Sequence, residues 1–190
     1  MSRSSRQQRG FTIVEVAVVL TIAAVLYTQA APMFTAWLGN AHTRTAAESI
    51  LNGLQLARAE AIRRNRMVQF VVTDGASSSW QVGCSNPIDV GTPDVDDPGD
   101  CLGVIQARAA AESSGQPQLA LVPAVATTIT FDSLGRVTAN VDGSPTPTVI
   151  NIDNPVVSLD HRRPLRLALG AAGGARMCDP SLSHADPRGC

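Results

Sequence analysis

Arg9-Gly10-Phe11-Thr12-Ile13-Val14-Glu15 joins a basic leader to a long apolar segment that contains one carboxylate, and it is the most informative stretch of the sequence. From Val16 to Thr43 the sequence has no Asp, Glu, Lys or Arg. As a helix, residues 11–38 would be about 42 Å long, against about 30 Å for the hydrocarbon core of a bilayer. A charge at the bilayer centre costs about 2.5–3.5 kcal/mol, so we expect Glu15 to be functional and to need a partner.

The sequence Gly-Phe-Thr-x-x-Glu followed by a charge-free helix resembles the processing site of type IV prepilins and type II secretion pseudopilins. The resemblance implies that a prepilin peptidase removes residues 1–10, cutting between Gly10 and Phe11, and that Phe11 is then N-methylated. It also implies that Glu15 pairs with the cationic amino terminus of a neighbouring subunit. The implied partners are other major and minor pilins or pseudopilins, the peptidase and an inner-membrane assembly platform.

Two alternatives explain the N-terminus less well. A secretory signal peptide cut near Thr28-Gln29-Ala30 would have an apolar region longer than usual, with a Glu inside it. A plain membrane anchor accounts for the span but leaves Glu15 unexplained.

Charge and cysteine content indicate where the rest of the chain resides. The leader arginines predict a cytoplasmic N-terminus and a periplasmic C-terminal domain. Without Arg3, Arg6 and Arg9, 12 of the 15 cations remain against 16 acids, a net charge of -4, which argues against a wholly basic nucleic-acid-binding surface. The cysteines are disulfide candidates in an oxidising compartment. Four cysteines permit three connectivities; we favour the two short loops, Cys84 with Cys101 and Cys178 with Cys190, each worth about 3 kcal/mol.

Residues 11–38 are predicted to form a transmembrane and assembly helix, and residues 39–65 its amphipathic continuation. Pro32 lacks a backbone donor, so we expect a kink or local melting near Thr28, with Gly39 as a second weak point. In the continuation, apolar residues recur at three- and four-residue steps and should pack on a sheet, with the helix ending by Asn65. They are Ala47, Ile50, Leu54, Ala57 and Ala61.

Residues 66–190, one domain of about 125 residues, carry β-strand patterns separated by turn residues. The predicted strands are 67–73, 80–84, 102–108, 126–131, 137–141, 148–152 and 165–169, with a turn at Asp74-Gly75 and a flexible turn at 170–174 before the last strand. Residues 129–137, 173–180 and 186–190 resemble the GspH/FimT group of minor pilins and pseudopilins; residues 77–100 resemble nothing known to us. The predicted fold is α+β and type IV pilin-like, with a long N-terminal helix packed on an antiparallel β-domain.

Some FimT relatives bind DNA through a Gly-Arg-x-Arg element, which here aligns with residues 173–176 but has Gly174 in place of the first Arg. DNA capture for natural transformation is therefore an alternative function. Its candidate residues are Arg162, Arg163, Arg166, Arg176 and Arg188, since non-specific affinity depends on how many phosphates are neutralised. The alternative is that these are solvated charges or ion pairs.

Metal binding and catalysis are less favoured. The acidic loop Asp94–Asp100 has carboxylates suited to Ca²⁺ but lacks the EF-hand spacing. Zinc ligation by Cys178, His184 and Cys190 fits no standard spacing, and a disulfide is the simpler account. No standard catalytic motif occurs in the sequence, which disfavours an anchored periplasmic enzyme. We predict no metal, no cofactor and a structural minor pilin or pseudopilin near a filament tip, serving a type IV pilus or type II secretion.

Overall fold

A computed structural model describes residues 12–86, 101–109 and 117–190, without the side chains of residues 29–32. Gly10, Phe11 and the acidic loop 94–100 thus lie outside the described residues. The chain divides into an N-terminal unit that ends at Thr35 and a globular unit from Ala36 to Cys190.

One helix, α1 (Ile13–Arg64), accounts for all the helical structure in the described residues. It is continuous across Pro32, and the kink stays a prediction. The helix ends where the sequence predicts. Asn65 has a φ of 51°, and the N–H of Arg66 donates to the carbonyl of Ala61 at 3.2 Å, the pattern of a left-handed C-terminal cap.

The described β-strands form two antiparallel sheets. Their bounds are β1 (Val68–Asp74), β2 (Ser79–Cys84), β3 (Gln106–Arg108), β4 (Gln118–Val122), β5 (Thr128–Phe131), β6 (Val137–Thr138), β7 (Val149–Asp153), β8 (Leu165–Leu169) and β9 (Ala175–Cys178). The first sheet has the order β3-β2-β1-β5-β6 and the second the order β4-β7-β8-β9. The turn at Asp74-Gly75 joins β1 to β2 as predicted.

The second part of α1 shares one hydrophobic core with both sheets. The predicted apolar stripe is confirmed: Ile50 and Leu54 are buried, together with the three alanines at its other positions. Gly53 brings the helix against the rings of Phe70 and Trp80, whose centroids are 5.6 Å apart. The predicted fold, a long helix on an antiparallel β-domain, is confirmed.

Three of the described strands depart from the sequence prediction by more than two residues. Strand β4 was not predicted. The strand predicted at 137–141 is only Val137–Thr138, because the buried Asn140 turns the chain: it accepts from the Thr130 hydroxyl at 2.8 Å and donates to the Thr128 carbonyl at 3.0 Å. The strand predicted at 102–108 is only Gln106–Arg108.

Candidate assembly and interaction surfaces

Thr12 caps the start of α1 and places Glu15 in the first turn. The Thr12 hydroxyl accepts from the N–H of Glu15 at 3.2 Å, and the Thr12 carbonyl accepts from the N–H of Val16 at 3.2 Å. The spacing Thr-x-x-Glu is that of a capping box, so the start of the helix at this point has a signal in the sequence. Within the described part of the chain, no salt bridge involves the Glu15 carboxylate.

Residues 13–28 of α1 expose their apolar side chains throughout. Examples are Ile13, 90% exposed, Leu20, 63%, and Tyr27, 74%. The helix is long and apolar enough to cross a membrane. An apolar surface of this length on a soluble monomer would be unusual, so it needs lipid or other subunits to cover it.

A segment that we call the junction loop, residues 154–163, packs on the start of the globular unit. The Asn154 amide donates to the Gly39 carbonyl at 3.3 Å, and the Asn40 amide donates to the His161 carbonyl at 2.8 Å. The backbone N–H of Arg163 donates to the Asn40 amide oxygen at 3.0 Å. The predicted weak point at Gly39 is therefore a packing position, because a Cβ there would collide with the side chain of Val157.

Four of the five predicted DNA-binding arginines donate to acceptors in their own domain. Arg162 bonds Asp153 and the carbonyls of Pro155 and Val157; Arg166 bonds Asn151; Arg176 bonds the carbonyls of Pro187 and Gly189; Arg188 bonds Asp186. These hydrogen bonds from Arg188 lower the pKa of Asp186. A phosphate would have to compete with these acceptors.

Arg163 and Arg188 are brought together, lining one groove of about 640 Å³ with Arg44 of α1. The groove also contains Asp179, and Arg44 is paired with Glu48 at 2.8 Å. The local charge is therefore mixed. This arrangement gives DNA binding no specific support, and DNA binding stays a prediction.

The structure contains both disulfides that we favoured. The Cα atoms of Cys84 and Cys101 are 5.6 Å apart, and those of Cys178 and Cys190 are 5.1 Å apart. Because Cys178 and Cys190 are joined to each other, they offer no thiolates for the zinc alternative. The described residues contain no His, Cys, Asp and Glu cluster that would hold a metal ion.

Two family models match parts of this chain. The family model described as Type II transport protein GspH matches residues 46–173, which covers about the last third of α1 and strands β1 to β8. The chain belongs to the GspH family. A second model, the prokaryotic N-terminal methylation motif, matches residues 5–26 of this GspH-family chain.

Two solved structures are similar to this GspH-family chain, both of the type IV minor pilin FimU from Pseudomonas aeruginosa. One is 20% identical and the match covers 73% of this chain and 92% of that one, with a TM-score of 0.41. The other is 19% identical and covers 73% and 97%, also with a TM-score of 0.41. No curated protein matches the sequence.

The family and the methylation motif make the chain a minor pilin or pseudopilin, a structural subunit. Subunits of this kind are processed by prepilin peptidase and assemble with other pilins. The apolar N-terminal helix serves as the membrane anchor of the periplasmic domain.

Proposed function

We propose that Glu15 is the assembly residue and that it pairs with the amino terminus of Phe11 on a neighbouring subunit. One observation carries this proposal: an acid lies in the first turn of a helix whose next residues, 16–28, expose only uncharged side chains. An unpaired carboxylate is costly in lipid, and a cation from another chain would remove that cost. Cleavage between Gly10 and Phe11 would supply the cation.

We also propose an orientation of the chain in the inner membrane, based on the leader that precedes the apolar helix. The leader arginines would hold the N-terminus in the cytoplasm before cleavage, and the globular unit would enter the periplasm. The two disulfides fit an oxidising compartment. After assembly the subunit would lie near the filament tip, with its β-domain facing other minor subunits. Its role is assembly rather than catalysis.

The processing proposal is tested by mass spectrometry of the mature protein. The expected chain begins at a methylated Phe11. A mature chain that begins near Ala31 would instead indicate cleavage by a signal peptidase, and an uncut chain would indicate a plain anchor.

The pairing proposal is tested with Glu15→Gln, which removes the charge and keeps the size of the side chain. Glu48→Gln is the control, since Glu48 lies on the same helix but is half exposed and paired with Arg44. Immunoblots of sheared filaments and of membrane fractions should show the Glu15 variant retained in the membrane and depleted from filaments. Equal incorporation of the two variants would contradict the pairing.

A further inference from the structure

The junction loop exposes two large apolar side chains although it is firmly held. Val156 is 71% exposed and Leu159 is 81% exposed, while Val157 between them is buried at 4%. A loosely held loop could turn such side chains inward. The contacts that hold the junction loop therefore determine that these two side chains stay exposed.

Arg162 ties the loop together from inside. Its guanidinium bonds the Asp153 carboxylate at 2.9 Å, the Val157 carbonyl at 2.9 and 3.1 Å, and the Pro155 carbonyl at 3.1 Å. One side chain therefore fixes the chain on both sides of Val156. With the two Asn40 bonds, the loop is held at both ends, and its apolar tips stay outside.

The junction loop lies next to the first residues of the globular unit. That unit begins at Ala36, and the loop bonds Gly39 and Asn40. Trp37, two residues before Gly39, is 65% exposed, and aromatic residues of this type concentrate at membrane–water interfaces. Residues 11–38 would span about 42 Å as a helix, close to the roughly 40–45 Å of a bilayer with its headgroups.

We propose that the junction loop is a membrane-contact site, in which Val156 and Leu159 insert into the headgroup–acyl boundary of the leaflet facing the domain. The exposed Arg163 side chain then lies where lipid phosphates are. This inference rests on the membrane anchoring described above. It adds a second attachment of the unassembled subunit to the bilayer, which extraction into a filament has to break.

The partner is lipid rather than a second subunit because the loop bonds Gly39 and Asn40, the residues that directly follow the apolar segment 11–38 in the chain. Amphipathic helices on a membrane surface bury their apolar side chains about 5–10 Å into the interface, and we expect the loop tips to reach a comparable depth. Besides the paired Arg162, the loop carries Asp160 and Arg163, so its charge favours no acidic or basic protein surface.

Matched control positions exist at the other end of the globular unit. Leu134 is 66% exposed and Val141 is 65% exposed. Val141 lines a groove with Asn65, which follows Gly39 by about 39 Å along α1 at 1.5 Å per residue. Leu134 and Val141 match the two loop side chains in chemistry and exposure, but they lie far from the residues that follow the membrane segment.

The test is depth-dependent quenching on the full chain in phospholipid nanodiscs. All four native cysteines are in disulfides, so a single added cysteine can carry a bimane label. The variants are Val156→Cys and Leu159→Cys, the controls Val141→Cys and Leu134→Cys, and Val25→Cys reports insertion of the membrane helix. The quencher is a nitroxide lipid, placed in the headgroup or at the upper acyl chain.

We expect the labels at 156 and 159 to lose fluorescence with both quenchers, while the labels at 134 and 141 keep theirs. A label at 25 that is quenched, with loop labels no more quenched than the controls, would overturn the membrane-contact site and leave anchoring intact. An unquenched label at position 25, together with unquenched loop labels, would overturn both the membrane-contact site and the anchoring by the helix. Counting one labelled thiol per chain by mass spectrometry confirms that the native disulfides have formed.

Discussion

Replacing Gly53 by alanine should destabilise the globular unit, although alanine is the better helix former. A Cβ at this position would lie 2.7 Å from Phe70 Cε2 and 3.2 Å from the indole of Trp80. Carbon atoms pack best at about 3.5–4.0 Å, so the Phe70 ring would have to retreat by about 1 Å. Phe70 is fully buried on β1, a strand paired on both sides, and the Trp80 indole donates to the Ser49 hydroxyl at 3.0 Å.

Two effects of opposite sign set the size of the change. Removing glycine from a helix interior stabilises by about 1 kcal/mol. Forcing a methyl group into a filled core costs about 1–3 kcal/mol, and the upper half of that range applies where the ring cannot move freely. The net expectation is a loss of about 1–2 kcal/mol, or about 2–8 °C in Tm for a unit of this size.

The assay is urea unfolding of the full chain in detergent, followed by near-UV circular dichroism, which reports on the packing of Trp80. Asn52→Ala is the matched control, because Asn52 is the exposed neighbour on the same helix. It should raise stability by a few tenths of a kcal/mol through helix propensity alone. If Gly53→Ala were as stable as the control, the helix and the sheet would not be held at the spacing described.

Other residues give further predictions. Burial alone would raise the pKa of Glu60, but hydrogen bonds from two arginines outweigh burial and lower the pKa below its ordinary value. The free energy of unfolding should therefore fall as the pH drops through the ordinary range of a glutamate, because the folded state has to give up these bonds to take a proton. Glu60→Gln should flatten this pH dependence in urea unfolding. Arg162→Met should speed hydrogen exchange of the junction-loop amides and cost about 1–3 kcal/mol, since the carbonyls of Pro155 and Val157 and one oxygen of Asp153 lose a donor. Replacing Cys84 and Cys101 together by serine should cost about 3 kcal/mol in calorimetry. If the domain binds DNA, gel shifts at low salt should weaken in Arg163→Ala; no shift of the parent chain would end that hypothesis.

Local sequence was enough to predict the helix. Its first part follows from a long absence of charge and its second part from a three- and four-residue spacing of apolar residues. The end at Arg64 was predictable too, since Asn65 readily adopts the left-handed conformation that caps a helix. Both depend on neighbours in the chain.

The features that sequence did not predict depend on distant partners. Strand β4 is five residues long between Pro117 and Pro123, and among the described strands it pairs with β7, about 30 residues later. The sequence made Arg162 a candidate for phosphate contact and left ion pairing open, and its partner Asp153 is identified only by the folded domain. The bonds from Asn40 to the junction loop join residues more than 120 positions apart, which periodicity cannot reveal.

The C-terminal disulfide loop returns beside the end of an edge strand. Strand β9 lies at an edge of its sheet, and edge strands invite strand addition by other chains, the first step of β-aggregation. Here the chain turns back so that the N–H of Asp179, just past the strand, donates to the Arg188 carbonyl at 2.7 Å, and Arg176 bonds the Gly189 carbonyl at 2.8 Å. These bonds shield the end of the exposed edge strand, so strand addition there is disfavoured in a protein whose subunits polymerise.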